Sequence, residues 1–429
     1  NSVNSVGGRK RIMKKVLVIA YYFPPLGLSG VQRTLKFVKY LREFGWQPTV
    51  LTVGETGYYA KDTTLISEID PSIEVIRTNS KDVNSLLKGK STVSLPRESM
   101  RKILSRISDM FFIPDSKIGW KKAALRTVEE LLQREKFDAV FATAPPQTAF
   151  LIASEIKKKY GIPIVLDYRD LWVDYPFKTF PTPFHEFRHL QLENNVLQSA
   201  DAIVTASNNI RSTLMRRYTF LPDEKVTLIS QGFDEEDMKV ETTPRNDHIM
   251  RFTFSGLFYE DRTPEYFLEA LRNVLERKPM FREQIEAHFL GAFRPEHLGL
   301  IERYGLKDRV HVHGYLNHKE CVKFLLESDV LWVMMRDDKS TPGKIFEYIG
   351  TGKKILGCLP NGTMRNIIHE ANGVCTEPDF VTEIERAIEY LFGQFLRNEL
   401  TGAPPSVMNK YNRKFLTEKL AKILTSVAK

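Results

Sequence analysis

The residues best placed by type and spacing to do chemistry lie in Lys339-Ser340-Thr341-Pro342-Gly343-Lys344-Ile345-Phe346-Glu347-Tyr348. Thr341 reads as a helix N-cap, Pro342 as the first helical residue and Gly343 as the second. The first turn of a helix leaves backbone N–H groups without intrahelical partners, and its dipole favours an anion there. Gly343 has no side chain to keep a phosphate away, and Lys344 adds a full positive charge. Glu347 follows Lys344 by three residues, so the two share a helical face. A carboxylate at that place can accept both hydroxyls of a ribose. The plainer alternative is a capped helix carrying an i,i+3 ion pair.

Three further loops hold reactive types. In Ser255-Gly256-Leu257-Phe258-Tyr259-Glu260-Asp261-Arg262-Thr263-Pro264, Thr263 and Pro264 signal a helix start. Arg262 stands just before it, either reaching a diphosphate with its fork of donors or lying solvated on the surface. Asp167-Tyr168-Arg169-Asp170-Leu171-Trp172 sets three ionisable groups among aromatics, enough to position and deprotonate a sugar hydroxyl. Its alternative is an Arg169–Asp170 ion pair that orders the loop. Gly27-Leu28-Ser29-Gly30 allows close backbone approach, with Ser29 as an N-cap. It lacks the G-x-G-x-x-G spacing, which argues against a nicotinamide cofactor. His311 and His313 alternate so that both rings share one strand face, an arrangement that suits a metal, but no third ligand is near in sequence and no metal is expected.

These loops must be held by elements, and the elements alternate. Lys15 to Tyr21 is a continuous apolar run, as in a strand buried on both faces. A helical pattern follows with Leu35, Val38 and Leu41, ending at Gly45, and Pro48 to Val53 reads as the next strand. Strand–loop–helix–strand opens a doubly wound parallel sheet. Further strands are expected at 139–143, 163–167, 202–206 and 226–229, with a helix at 148–160. The polar, acidic stretch from Asp234 to His248 interrupts the pattern and reads as an interdomain linker. The alternation then resumes with strands at 251–256, 287–291, 310–314, 330–334 and 354–357, and ends in an amphipathic helix from Asn412 to Val427 with Phe415, Leu416, Leu420, Ile423 and Leu424. Each candidate loop thus follows a strand, where two doubly wound domains in tandem would form a cleft.

The 429 residues suit two α/β domains, and 42% hydrophobic against 27% charged residues supports a sizeable core. No apolar run approaches the roughly 20 residues of a bilayer span. The polar first dozen residues resemble no signal peptide and are set aside. Three cysteines, Cys321, Cys358 and Cys375, fit neither a zinc site nor a CxxC pair and read as buried free thiols of a reducing cytoplasm. The net charge of +9 favours anionic partners. No nucleic-acid-binding motif accompanies it. Between Lys81 and Lys122 the chain is rich in Ser, Lys and Arg. There Met100, Ile103, Leu104, Ile107 and Phe111 fall on one helical face, with Arg97, Arg101, Lys102 and Arg106 largely elsewhere. Such a segment, 97–112, either docks on an anionic membrane or packs its apolar stripe on the domain.

Taken in order, Tyr22-Phe23-Pro24-Pro25, Asp167-x-Arg169-Asp170-x-Trp172, Gln231-Gly232-Phe233-Asp234, Ser255-Gly256, Val312-His313-Gly314 and Lys344-x-x-Glu347-Tyr348-x-x-x-Gly352 resemble the family 4 glycosyltransferases from about Lys14 to the C-terminus. The resemblance implies the GT-B fold: two Rossmann-like domains facing across a cleft, at 14–240 and 249–405, with residues 406–429 crossing back onto the first. It implies acceptor binding in the first domain and a nucleoside-diphosphate sugar in the second. It implies retention at the anomeric carbon, no metal and no further cofactor. Gly314, Tyr315 and Leu316 are then expected near the base and Glu347 near the ribose. Arg262, Thr341, Pro342, Gly343 and Lys344 are expected near the diphosphate, with Gly30 and Gly256 also in the donor site. Asp170, Arg169, Arg262 and Lys344 are the expected catalytic set. The chain departs from the family's E-x7-E pattern, having Lys339 where the first Glu stands, and has Leu257 and Thr263 where Arg and Lys are usual. Part of the usual diphosphate clamp is then missing or supplied by Lys339 and Lys344.

The activity this predicts is transfer of a hexosyl or N-acetylhexosaminyl group, from a UDP-sugar first and a GDP-sugar second, to a saccharide or lipid-linked saccharide in bacterial surface polysaccharide synthesis. The expected location is cytoplasmic, on the inner face of the membrane. The alternatives are a nucleotide-sugar epimerase of the same fold and a non-catalytic binding or scaffold protein.

Overall fold

The computed structural model describes residues 13–27, 29–57, 61–80, 107–175, 178–258, 261–338 and 342–428. Two all-parallel sheets carry the chain. The first comprises β1 (Lys14–Ile19), β2 (Trp46–Val53), β3 (Glu74–Thr78), β4 (Ala139–Ala144), β5 (Ile164–Tyr168), β6 (Ala202–Thr205) and β7 (Val226–Leu228), in the order β3-β2-β1-β4-β5-β6-β7. The second comprises β8 (Met250–Ser255), β9 (Ile285–Leu290), β10 (Val310–Gly314), β11 (Val330–Met334), β12 (Lys354–Cys358) and β13 (Val374–Thr376), in the order β10-β9-β8-β11-β12-β13. Helices cover both sheets because the central strands have no polar face: Val16 to Ile19 and Val330 to Val333 are all buried.

Strand order reverses between β1 and β4 in the first sheet and between β8 and β11 in the second. In a doubly wound sheet the crevice opens at that reversal, outside the carboxyl ends of the strands. The loops after β1, β4, β8 and β11 are therefore the ones that face a ligand. They include the loops around Gly30, Gly256, Arg262 and Asp337.

Most expected strands shift by one or two residues at an end, and the strands β3 and β13 were not expected. β5 begins at Ile164, one residue after Pro163, whose carbonyl still accepts from Val140 N at 2.8 Å. β3 and β13 are edge strands, short and half-exposed, and carry little apolar pattern. The stretch expected as an interdomain linker begins in the interior of the first domain. Asp234 is buried and ion-paired to Lys36 at 2.9 Å and Lys39 at 2.8 Å, and it accepts from Tyr40 Oη at 2.5 Å.

The chain returns to the first sheet beside the point where it left. Phe233 N donates to Tyr411 O at 3.0 Å and Arg413 N to Phe233 O at 2.8 Å. A Cβ at Gly232 would stand 2.3 Å from the Tyr411 carbonyl oxygen, so the two crossings lie this close only because residue 232 is glycine. The Arg413–Val427 helix then buries Leu416, Leu420, Ala421 and Leu424 in the core of the first domain. Phe415, expected on that buried stripe, is instead 51% exposed.

Candidate active site

The Gly343–Thr351 helix starts one residue later than its sequence signals place it. Pro342 has extended ψ of 126° and is the capping residue, not the first helical one. Thr341, its expected cap, lies outside the described residues, as do Lys339 and Ser340. A buried Tyr348 ties the helix to the sheet by accepting the Ser255 N–H at 2.8 Å. The helix is thereby fixed against the end of β8, and its first turn faces the loop that begins at Gly256.

Lys344 reaches over that loop. Its Nζ lies 3.9 Å from the centroid of the Phe254 ring, a cation–π contact. Gly256 has φ +128°, a conformation that favours glycine, and the Lys344 ammonium lies close over it. Burial, followed by the charge of Arg262, pulls the Lys344 amine down to about 7, against the pull of Glu347. Among the described residues no ion pair or hydrogen bond joins Lys344 to Glu347, so the alternative of an i,i+3 ion pair is not formed. The Glu347 carboxylate instead acts at a distance on His318, Cys321 and Arg413.

Arg262 is not on the surface. It is buried, with Nη2 3.3 Å from Asp337 Oδ2. The pair bridges the loops after β8 and β11, the two sides of the crevice. Thr263 Oγ1 accepts from Glu265 N at 3.2 Å, which starts the Glu265–Arg277 helix just beyond the arginine.

In the first domain the three ionisable residues after β5 have three different fates. Asp167 is fully buried and holds Arg33 through a forked contact (2.8 Å to Nη2, 3.1 Å to Nε) and Thr143 Oγ1 at 2.8 Å. Arg169 gives its guanidinium to the carbonyls of Gly30, Ala144 and Pro145. The alternative Arg169–Asp170 ion pair is not formed; Arg169, expected in the catalytic set, holds the Gly30 backbone to the loop after β4. Gly30 belongs to that clamp as the acceptor of Arg169. Asp170 feels charges of the second domain. Burial raises its carboxyl; Arg169 and then Arg262 pull it back, and Asp337 pushes it up again. Arg262 and Asp337 come from the second domain, so Asp170 is where the two halves act on one another.

Other contacts close the cleft at its margins. Asn209 Nδ2 donates to Asp338 O at 2.6 Å. His318 N donates to Asp62 at 2.9 Å, and its ring lies 3.0 Å from Asp237. Gly314, at φ +73°, ends β10 and accepts from Gly291 N at 2.7 Å. Tyr315 beyond it is half-exposed, and burial, with Asp62 and Cys321, pushes its hydroxyl up to about 12. Leu316 turns inward to pack with the cluster around Phe346 and Tyr348.

The sequence matches two family models, one described as Glycosyltransferase Family 4 over residues 29–237 and one as Glycosyl transferases group 1 over residues 250–394. The chain belongs to the family 4 glycosyltransferases. No curated protein matches the sequence. The fold of this glycosyltransferase is shared by several solved structures at low identity. A glycosyltransferase from Rickettsia africae matches at 16% identity and a TM-score of 0.66, over 97% of this chain and 99% of that one. HepE from Anabaena, solved with UDP and glucose, matches at 15% and 0.62, over 96% and 100%. A putative UDP-N-acetylglucosamine 2-epimerase from Listeria monocytogenes matches at 15% and 0.57, over 95% of each chain. The two parallel sheets are thus the GT-B architecture.

Four residues that pack in or behind the candidate site carry no sequence motif of their own. Phe254, Asp337, His318 and Arg33 lie on separate elements, and only the strand order brings them beside the residues singled out. Arg33 carried one usable signal: a cation in the apolar stripe of the Ser29–Leu41 helix needs a buried carboxylate.

Proposed function

We propose that this glycosyltransferase moves a hexosyl or N-acetylhexosaminyl group from a nucleoside-diphosphate sugar to a hydroxyl of a saccharide or lipid-linked saccharide, with retention, in bacterial surface polysaccharide synthesis. The observation that carries this reading is the convergence of Asp170 from one domain with Arg262 and Lys344 from the other. Lys344 and Arg262 are two cations held in a desolvated crevice, and a diphosphate is the anion that suits them. Catalysis then rests on positioning and on stabilising the leaving diphosphate. Asp170, on the acceptor side, orients the incoming hydroxyl. With no enzymic nucleophile required, attack occurs on the face from which the phosphate departs. The Glu347 carboxylate takes the ribose, and Tyr315 and Leu316 flank the base. UDP is the first choice of nucleotide, supported by the likeness to HepE, and GDP the second. We assign the transfer step itself no metal.

A place on the membrane surface is part of the same proposal. Residues 97–106 of the basic segment lie outside the described residues, but residues 107–111 form a helical turn whose Ile107, Met110 and Phe111 are exposed. His185 Nε2 meets Met110 O at 3.1 Å, which brings that turn beside the exposed Phe184 and Phe187. No helix among the described residues is long and apolar enough to cross a membrane.

The test is a thermal-shift screen with UDP, GDP, ADP and CMP and their sugar conjugates, followed by turnover with acceptors. A midpoint rise with one diphosphate family supports the donor site. Conversion of the donor sugar without an acceptor would establish the epimerase reading, which the likeness to the Listeria protein keeps in view. No rise with any nucleotide would overturn donor binding and favour a scaffold role.

A further inference from the structure

The strand pairing of the second sheet assembles a group of ligand side chains that no stretch of sequence displays. β9 and β10 run parallel with His288 opposite His311. Side chains two residues apart on a strand share a face, so Glu286 and His288 of β9 stand beside His311 and His313 of β10. Their ligand atoms converge: one from each of Glu286, His288 and His311 lie within 4.8 Å of one another. We infer that Glu286, His288 and His311 form a binding site for a single divalent transition-metal ion, with zinc the best fit.

The distances support a metal over a chance ladder of imidazoles. His288 Nε2 lies 3.4 Å from Glu286 Oε2, and His311 Nε2 lies 3.7 Å from Glu286 Oε1. Two ligands bound to zinc at about 2.0–2.1 Å in a tetrahedron stand about 3.4 Å apart. Two His and one carboxylate, with a fourth position left to water, is a known zinc donor set. His311 is partly exposed and leaves that position open to solvent.

The chemistry of His288 points the same way. Its Nε2 is buried and has no hydrogen-bond partner, an orphan a metal would satisfy. Its Nδ1 meets His313 Nε2 at 3.0 Å. That contact fixes which nitrogen of His288 faces the ion, as outer-shell partners of metal-bound His do. Phe324 packs against the His288 and His313 rings and limits their rotation. Arg251 Nε also approaches Glu286, at 3.7 Å. The other such group among the described residues, Glu68, Asp234 and Asp237, differs in this respect: the ammonium of Lys36 already sits among its three carboxylates, at 2.9 Å from Asp234 and 2.5 Å from Asp237.

The site is separate from the sugar-transfer cleft. Its ligands lie along β9 and β10, whereas the cleft opens at the strand ends. An ion here would pin the edge strand β10 to β9 just before Gly314 and Tyr315.

The experiment is titration of chelator-treated full-length protein with Zn2+ by calorimetry, and with Co2+ by visible absorption. One equivalent of Zn2+ is expected to bind and to raise the melting midpoint. Co2+ is expected to show the visible bands of a tetrahedral nitrogen and oxygen site. Both signals should vanish in His311→Ala and Glu286→Gln, and His313→Ala should weaken Zn2+ about 10–100-fold. His311 lies on an edge strand, so its variant should keep the metal-free melting midpoint. No binding by the wild type, binding unchanged in the variants, or a near-ultraviolet thiolate band assigning the ion to cysteine would each overturn the inference.

Discussion

The ammonium of Lys344 rests 3.9 Å above the ring of Phe254, over a glycine at 256 with φ +128°. The amine is pulled down to about 7 mainly by burial, so near neutral pH a good part of the population is uncharged. A diphosphate arriving there completes the protonation. UDP binding should therefore take up a proton above pH 7, and affinity should fall with rising pH by as much as about tenfold per unit. In the free protein the sign is opposite: the unfolded chain holds its proton up to about 10.5, so stability rises between about 7 and that value. Calorimetry in buffers of different ionisation heat measures the uptake. Lys344→Met should bind weakly with no such dependence. Equal, pH-independent affinity in both proteins would remove Lys344 from the donor site.

Asp170 faces the second domain and Asp167 does not. Asp170→Asn should lower kcat about 10²–10⁴-fold if the carboxylate works on the acceptor hydroxyl, while UDP affinity changes little. The split is read from acceptor-saturated rates beside nucleotide titrations. A variant with full kcat would deny Asp170 that role.

Arg33 and Asp167 form a forked pair with side chains 1% and 0% exposed. Removing one partner strands a buried charge. Arg33→Ala should cost about 3–5 kcal/mol of stability, measured by urea unfolding. A loss below about 1 kcal/mol would mean that water or a neighbour relieves the carboxylate.

His318 joins the second domain to Asp237. Burial disfavours its charged form, but the hydrogen bond it donates to Asp237 and the charge of Glu347 outweigh burial and the repulsion of Lys36, so its pKa is raised from 6.5. The stabilisation is complete below about 6.5 and is lost as pH rises through the higher folded value. The melting midpoint should fall over that interval in the wild type and fall less in His318→Gln. Parallel pH profiles for the two proteins would show that the pair contributes nothing.

The fold was legible in the sequence because buried parallel strands are continuous apolar runs and Gly, Pro and Asp mark the turns. The edge strands β3 and β13, half-exposed and short, have no such pattern. Within the site, Arg262, Lys344, Glu347 and Asp170 stood out because each follows a strand. The fates of Asp167 and Arg169 were not legible. Three adjacent ionisable residues look alike in sequence, and only Arg33 and the carbonyls of Gly30, Ala144 and Pro145 tell them apart. His311 lacked a third ligand for a similar reason: its partners Glu286 and His288 are on the next strand.

The final helix, which fills the first domain's core with Leu416, Leu420, Ala421 and Leu424, sets an order on synthesis. The amino-terminal half leaves the ribosome long before the residues that cover its apolar face exist. Trp46 waits for Thr425, whose Oγ1 it reaches at 3.2 Å. Until residue 427 has emerged, that half is an unfinished body with exposed hydrophobic surface, the kind of nascent species that chaperones hold.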